Sequence, residues 1–373
     1  MIRNIFKIAF RSILKHKVHT LINVLGLSAG FTAFILVSLF IDYENSWDKH
    51  NVNYDRIYRV QRHFVMARHA MDGNDISPHS RGVTAKLLFP RYPEVENTMI
   101  MRELDGVFLS SDNTTSFFDN KEGILAEQNI FLIFTYDFIE GEKNRSLIDP
   151  YSIVLSETMS KKLFPGGNPI GKMVMVEKKH SMKVTGVYRD LPKNSTLRPG
   201  YIISLFTLEK NNEDVRNSND GIYMTYVLLK PNQEVKDLNA KIRDLFKGNK
   251  ALEDEKIKLC PMSKFYLSFN DQTAYKNILS LYQLIGIFIL ILAAFNYINL
   301  TTAHTSVRTK EIGIRKVHGS SLTMLIIQLL GETLILAVIA VNLAFFFTEL
   351  LLPTYNNIVQ KPLNCSRKIW RCS

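Results

Sequence analysis

Leu21-Ile22-Asn23-Val24-Leu25-Gly26-Leu27-Ser28-Ala29-Gly30-Phe31-Thr32-Ala33-Phe34-Ile35-Leu36-Val37-Ser38-Leu39-Phe40-Ile41 is an unbroken run without a single charge. As a helix rising about 1.5 Å per residue it reaches roughly 31 Å, enough to cross a hydrocarbon core of ~30 Å. A cleaved export signal would have a shorter apolar core and end at small residues. Here Asp42-Tyr43-Glu44 follows, so residues 21–41 read as an uncleaved first transmembrane helix.

Two more apolar stretches of membrane length lie near the other end, at residues 279–300 and 322–352. The first contains Asn296 and Asn299; the second contains Glu332 and Glu349. An ionised Glu332 at the bilayer centre would cost ~2.5–3.5 kcal/mol or more, which predicts that it faces a helix interface or a polar end of the span, as a polar contact within the membrane. Gly26 and Gly30 form a G-x-x-x-G frame that permits close helix packing, a contact between two copies being one use of it.

The chain of 373 residues is 46% hydrophobic and carries a net charge of +11. That charge gathers beside the apolar blocks: Arg3, Lys7, Arg11, Lys15 and Lys17 precede the first, and Arg308, Lys310, Arg315 and Lys316 lie between the second and third. Lys and Arg are retained on the cytoplasmic side, so topology accounts for the charge better than a nucleic-acid partner does. Both basic segments are then cytoplasmic, and residues 42–278 lie outside. Within 1–20, Ile2, Ile5, Phe6, Ala9 and Ile13 recur at helical spacing opposite the basic residues, which predicts an amphipathic helix on the lipid of the inner leaflet.

Residues 42–278 are long enough for one sizeable core or two small ones. Tyr151–Leu155, Lys183–Tyr188 and Tyr223–Leu229 read as strands; Ser156 can cap a helix running to Phe164 and stopped by Pro165-Gly166-Gly167, and a further helix is expected over Val235–Lys247. The fold class is therefore an α-helical membrane protein with a mixed α/β extracytoplasmic domain.

Gly166-Gly167-Asn168-Pro169-Ile170-Gly171-Lys172 fits the frame of a phosphate-binding loop. The match fails at Met173, where a magnesium-binding Ser or Thr is required, and the expected order of strand, loop and helix is reversed, so a tight turn is expected. No H-e-x-x-H, G-x-S-x-G or paired-cysteine pattern occurs, and Cys260, Cys365 and Cys372 are too scattered for a disulfide framework. His63, His69 and His79 read as solvated surface residues rather than metal ligands. No catalytic residue, no metal and no directly bound cofactor is expected.

Between the second and third spans, in a cytoplasmic loop of residues 301–321, runs Thr309-Lys310-Glu311-Ile312-Gly313-Ile314-Arg315-Lys316-Val317-His318-Gly319-Ser320-Ser321. Ile312, Ile314 and Val317 can form a small apolar face on a short surface helix while Arg315 and Lys316 stay in water. This run resembles the cytoplasmic loop of the FtsX-like permease family, in the version carrying a MacB-type periplasmic core domain. Gln328 and Glu332 resemble that family's third span; Ala9-Phe10-Arg11-Ser12 through Leu27 resembles its first helices. Val154-Leu155-Ser156-Glu157, Lys162-Leu163-Phe164, Asn168-Pro169-Ile170-Gly171-Lys172 and Val184-Thr185-Gly186-Val187 resemble its exterior domain.

The resemblance implies a permease subunit of an ABC-type transporter in a bacterial inner membrane. It borrows ATP hydrolysis from a cytoplasmic ABC ATPase subunit contacted by Glu311, Ile312, Gly313, Ile314, Arg315, Lys316 and Val317. It also implies pairing with a second copy or a second permease, and an extracytoplasmic adaptor protein. Export of an antibiotic, peptide or lipoprotein is one implied role, and FtsX-like signalling to an extracytoplasmic partner such as a cell-wall hydrolase is the alternative. Family members continue into a fourth span, whereas residues 353–373 here are expected to be an extracytoplasmic tail truncated before it. A reporter fused at Asn219 is expected to be active only on the outer side of the membrane; activity on the cytosolic side would overturn the topology.

Overall fold

The computed structural model describes residues 17–64, 75–111, 117–119, 123–268, 272–317 and 322–365. The amphipathic helix expected over 1–20 falls outside them as far as residue 16, as do His69, Arg367, Lys368, Arg371 and Cys372. The chain forms two compact units, Met1–Asn45 with Thr273–Ser373, and Ser46–Gln272. The helices that carry the argument are α1 (Lys17–Glu44), α2 (Glu157–Leu163), α3 (Val235–Ile242), α4 (Gln272–Val317) and α5 (Leu322–Val359).

The second unit is built on one sheet of 13 strands. From one edge it runs β13 (Lys256–Pro261), β1 (Ile57–Phe64), β12 (Met224–Leu229), β3 (Val95–Leu104) and β6 (Gly123–Ala126). It continues through β11 (Tyr201–Ser204), β8 (Ser152–Ser156), β10 (His180–Tyr188), β9 (Met173–Val176), β4 (Val107–Ser110) and β5 (Phe117–Asp119). β2 (Asp75–Ser77) pairs with β1, and β7 (Phe138–Gly141) pairs with β10. β8 runs parallel to β10, and β11 parallel to β6; the other pairs are antiparallel.

The period of two along each strand divides the core between the faces of the sheet. Val154 of β8, Ile124 and Ala126 of β6, Ile202 of β11 and Met99 and Met101 of β3 join one apolar cluster. Their sequence neighbours Ile153, Leu155, Leu125, Tyr201, Ile203 and Ile100 join another. On β12 the same alternation sends Met224, Tyr226 and Leu228 into the first cluster and Val227 and Leu229 into a third. Every residue of β8 and of β12 is therefore buried, the signature of strands covered on both faces.

The three expected strands occur at β8, β10 and β12, with ends shifted by a residue or more. Ser156 caps α2 by accepting a 3.2 Å hydrogen bond from the Met159 backbone N–H, and the helix gives out at Phe164. Gly166 and Gly171 follow in the left-handed region at φ +72° and +80°. The phosphate-loop look-alike is a turn: the Gly171 N–H donates to the Val184 carbonyl at 2.8 Å, and the Lys172 ammonium lies 5.2 Å from the centre of the Phe164 ring.

Two expectations need correction. α3 ends at Ile242 and not at Lys247, because Leu245 N–H bonds back to Ile242 at 3.0 Å and tightens the chain into turns that reach Gly248 at φ +92°. Leu245 and Phe246 nonetheless stay in the core, which is why their apolar spacing looks helical in sequence. His63 and His79 are partly buried rather than solvated, and burial lowers the pKa of both.

The chain enters and leaves this unit side by side, Trp47 stacking on Tyr266 with ring centroids 3.8 Å apart. Asp48 anchors the same corner by accepting from the Thr196 backbone N–H at 2.7 Å. A carboxylate anchors the other edge: Glu255 accepts from Arg62 of β1 at 3.0 Å and from Arg81 Nε at 3.1 Å. Burial pushes the Glu255 carboxyl up, but the Arg81 hydrogen bond and the Arg62 and Arg81 charges outweigh it and hold the pKa below its ordinary value of 4.5. A lowered folded-state value means that this cluster stabilises the fold fully above the unfolded pKa and loses that effect as pH falls below 4.5. Glu255→Gln is expected to lower stability at neutral pH by about 2 kcal/mol, between an exposed and a fully buried pair. Urea unfolding of the variant below pH 4.5 should also show a shallower loss of stability than the wild type.

Candidate coupling site in the membrane helices

Lys17–Glu44, Asn277–Ala303 and Thr323–Val359 are long and apolar enough to cross a membrane. Between helices in lipid the hydrophobic effect gives no net drive, so close van der Waals approach between small residues has to supply it. α1 and α5 meet that need with Ser28 and Thr32 on one side and Ala340 and Ala344 on the other, all buried. The Thr32 hydroxyl donates within its own helix to Ser28 O at 2.8 Å and lies 3.4 Å from Ala344 O across the interface.

The Gly26/Gly30 frame packs within the chain, against α4. A Cβ placed on Gly30 would come 2.5 Å from Ala293 Cβ, and one on Gly26 would come 3.1 Å from Asn296 Nδ2. Farther along, Gly286 of α4 lies opposite Phe34 and Val37, and Phe40 meets Tyr282 edge to face at 5.6 Å. α1 and α5 are thus parallel and α4 antiparallel to both.

α5 passes Pro353 and continues to Val359, beyond the boundary at 352. The chain then folds back: Lys361 lies 3.1 Å from the Glu44 carboxylate at the end of α1, and Asn356 exchanges hydrogen bonds with Leu363 at 3.0 and 3.2 Å.

Glu332 is 7% exposed on α5 and lies among His19, Asn23, Tyr297 and Thr301 of the two other helices. It therefore faces a helix interface and not lipid. Beside it the Tyr297 hydroxyl donates to Thr333 Oγ1 at 3.2 Å, and Asn23 Nδ2 lies 3.0 Å from His19 Nε2. Sequence reading singled out Glu332 but not these partners. The available signal was weak: Asn23, Tyr297 and Thr301 are polar residues at or beside one end of an apolar run, and Thr333 is a single hydroxyl within another.

The segment expected as a loop with a short surface helix is the continuation of α4, which runs unbroken from Gln272 to Val317. Ile314 and Val317 are 61% and 87% exposed. The backbone of Glu311, Ile312, Gly313, Arg315 and Lys316 belongs to this helix, while their side chains lie outside the described residues. Among the described residues no group of three His, Cys, Asp or Glu is placed to hold a metal.

The MacB-like periplasmic core domain family matches residues 20–245, more than half of the chain, and the FtsX-like permease C-terminal family matches residues 284–367. No curated protein matches. Among solved structures, a domain from a chain described as a permease of Porphyromonas gingivalis is 20% identical, with a TM-score of 0.50 over 57% of this chain and 91% of that one. The periplasmic region of MacB from Actinobacillus actinomycetemcomitans is 14% identical, with a TM-score of 0.42 over 58% of this chain and 94% of that one. The extracellular domain of the noncanonic ABC-type transporter YknZ from Gram-positive bacteria is 14% identical, with a TM-score of 0.38 over 53% and 98%. The first of these shares the fold of the sheet unit. The chain belongs to the FtsX/MacB-type ABC permeases, membrane proteins with a mixed α/β periplasmic core domain.

Proposed function

We propose that this permease subunit transmits movement of a partner ABC ATPase outward to its periplasmic domain, for extrusion of an antibiotic, peptide or lipoprotein. Family membership implies the partner ATPase, and ATP is used there and not on this chain. The observation that carries the finer reading is the continuity of α4. From Ala303, the end of its membrane-length window, it projects without a break to Val317, about 21 Å farther at 1.5 Å per residue. A continuous helix is stiff over that distance, so a push on residues 311–317 moves the membrane segment of α4 with it. The exposed Ile314 and Val317 supply the apolar part of a docking surface for the ATPase.

In this reading the amino terminus and residues 301–321 lie in the cytoplasm, the Lys and Arg of both following the bias for that side. Exposed Leu284, Phe288, Ile291 and Phe295 on α4 give lipid, a second copy or a second permease an apolar face to cover. An adaptor would engage the periplasmic unit.

Glu311→Ala and Arg315→Ala are expected to reduce co-purification of the cognate ATPase subunit several-fold. Ala303→Pro, which breaks the rod without touching residues 311–317, should retain the ATPase while losing the permease's effect on its hydrolysis rate, because proline removes a helical hydrogen bond and kinks the chain. Unchanged association in both docking variants, or normal stimulation by Ala303→Pro, would overturn the assignment.

A further inference from the structure

The three membrane-length helices enclose a small cavity where α1, α4 and α5 meet, with room of ≈ 10 Å³ for the centre of a water molecule. His19, Asn23, Tyr297, Thr301, Glu332 and Thr333 line it. We propose that this cavity is a binding site for one water molecule, held between Asn23, Glu332 and Thr301, and that this water joins the three helices at a single point.

Three observations carry the proposal. The volume is that of about one water, for which roughly 10–15 Å³ of such space is the threshold. The lining is mixed, with polar side chains from all three helices beside Leu329 and Leu336, whereas cavities that stay empty inside proteins are apolar. Asn23 is 3% exposed, and its Oδ1 has no hydrogen-bond partner within the protein, its Nδ2 being taken up by His19. Buried as it is, the unpaired amide oxygen cannot turn to bulk water, so it is costly unless something in the cavity donates to it.

The amide also discriminates between occupants. Exchanging its oxygen and nitrogen places a donor in the cavity in place of an acceptor; a water answers either, while a metal cation answers only the oxygen. A methyl group or acyl chain answers neither. Tyr297 and Thr333 already bond to one another, and Thr333 donates onward to Leu329 O at 3.0 Å, so this side of the cavity closes without water. One polar side chain of each helix lines the cavity within reach of such a water: Asn23 of α1, Thr301 of α4 and Glu332 of α5.

Dose-resolved hydroxyl-radical footprinting of the full chain in lipid nanodiscs tests this, because radicals formed from a bound water modify the side chains beside it. Run in ¹⁸O-labelled water, the wild type should incorporate label at Tyr297 several-fold faster than at Phe288, a lipid-facing aromatic of the same helix that is 57% exposed. Asn23→Leu should lower the Tyr297 rate several-fold and leave Phe288 unchanged, while Asn23→Ser, which keeps a polar group and enlarges the cavity, should retain it. A wild-type Tyr297 rate no higher than that of Phe288 overturns the proposal whether or not either variant folds. A Tyr297 rate unchanged in a folded Asn23→Leu protein overturns it as well.

Discussion

At Gly30 and Ala293 two membrane helices approach until there is no room for a further methyl group between them. Everything else in the membrane unit depends on that closeness. Dispersion falls away steeply with distance, and in lipid no loss of water-exposed surface replaces it, so association rests on backbones brought near enough for many weak contacts at once. Ser28, Thr32, Ala340 and Ala344 do for α1 and α5 what Gly26, Gly30 and Ala293 do for α1 and α4. The bulky residues of α4, among them Phe288 and Phe295, are left on the outside, where lipid or a partner solvates them at no cost.

The periplasmic unit solves a different problem with ordinary means. Its sheet is covered on both faces, so strands such as β8 and β12 are wholly buried and their backbone groups are satisfied within the protein, chiefly by neighbouring strands. That makes the sheet's interior hard to deform and moves adaptability to its margins. The two chain segments leading toward the membrane helices are fixed to each other by the Trp47 and Tyr266 stack and to the body of the unit through Asp48 and Thr196. In the proposed coupling, this corner is the first part of the unit that a displacement arriving along either segment would meet.

How much of this could be read from residues alone follows from the range of the interactions. Apolar run length marks the three membrane helices directly, because crossing a bilayer is a requirement on consecutive residues. Ser156, Pro165 and Gly166 mark the limits of α2 because capping and chain reversal act over a few residues. The end of α3 was misplaced because Leu245 and Phe246 keep the helical spacing of buried residues while sitting on turns. The unbroken α4 was hidden for the opposite reason: the charges of 308–316 end the membrane signal but do nothing to end a helix. The strand order, with β8 between β10 and β11, and the meeting of Asn23 with Glu332 join residues far apart in the chain, and nothing local encodes them.

The same packing restricts how α4 can move. A slide of one helical turn, about 5.4 Å, would carry Ile289 or Tyr297 to the place where Ala293 meets Gly30. Neither fits where a methyl group already fills the gap. A slide would also part Tyr297 from Thr333 within the membrane, where no bulk water replaces the lost bond. Tilting α4 about the Gly30 contact keeps the point of closest approach in place, and it displaces Tyr297, one turn away, far less than the ends of the helix. The extension to Val317 and the segment leading back toward Gln272 lie on opposite sides of that contact, so in the proposed coupling a sideways push on the one end would swing the other end the opposite way.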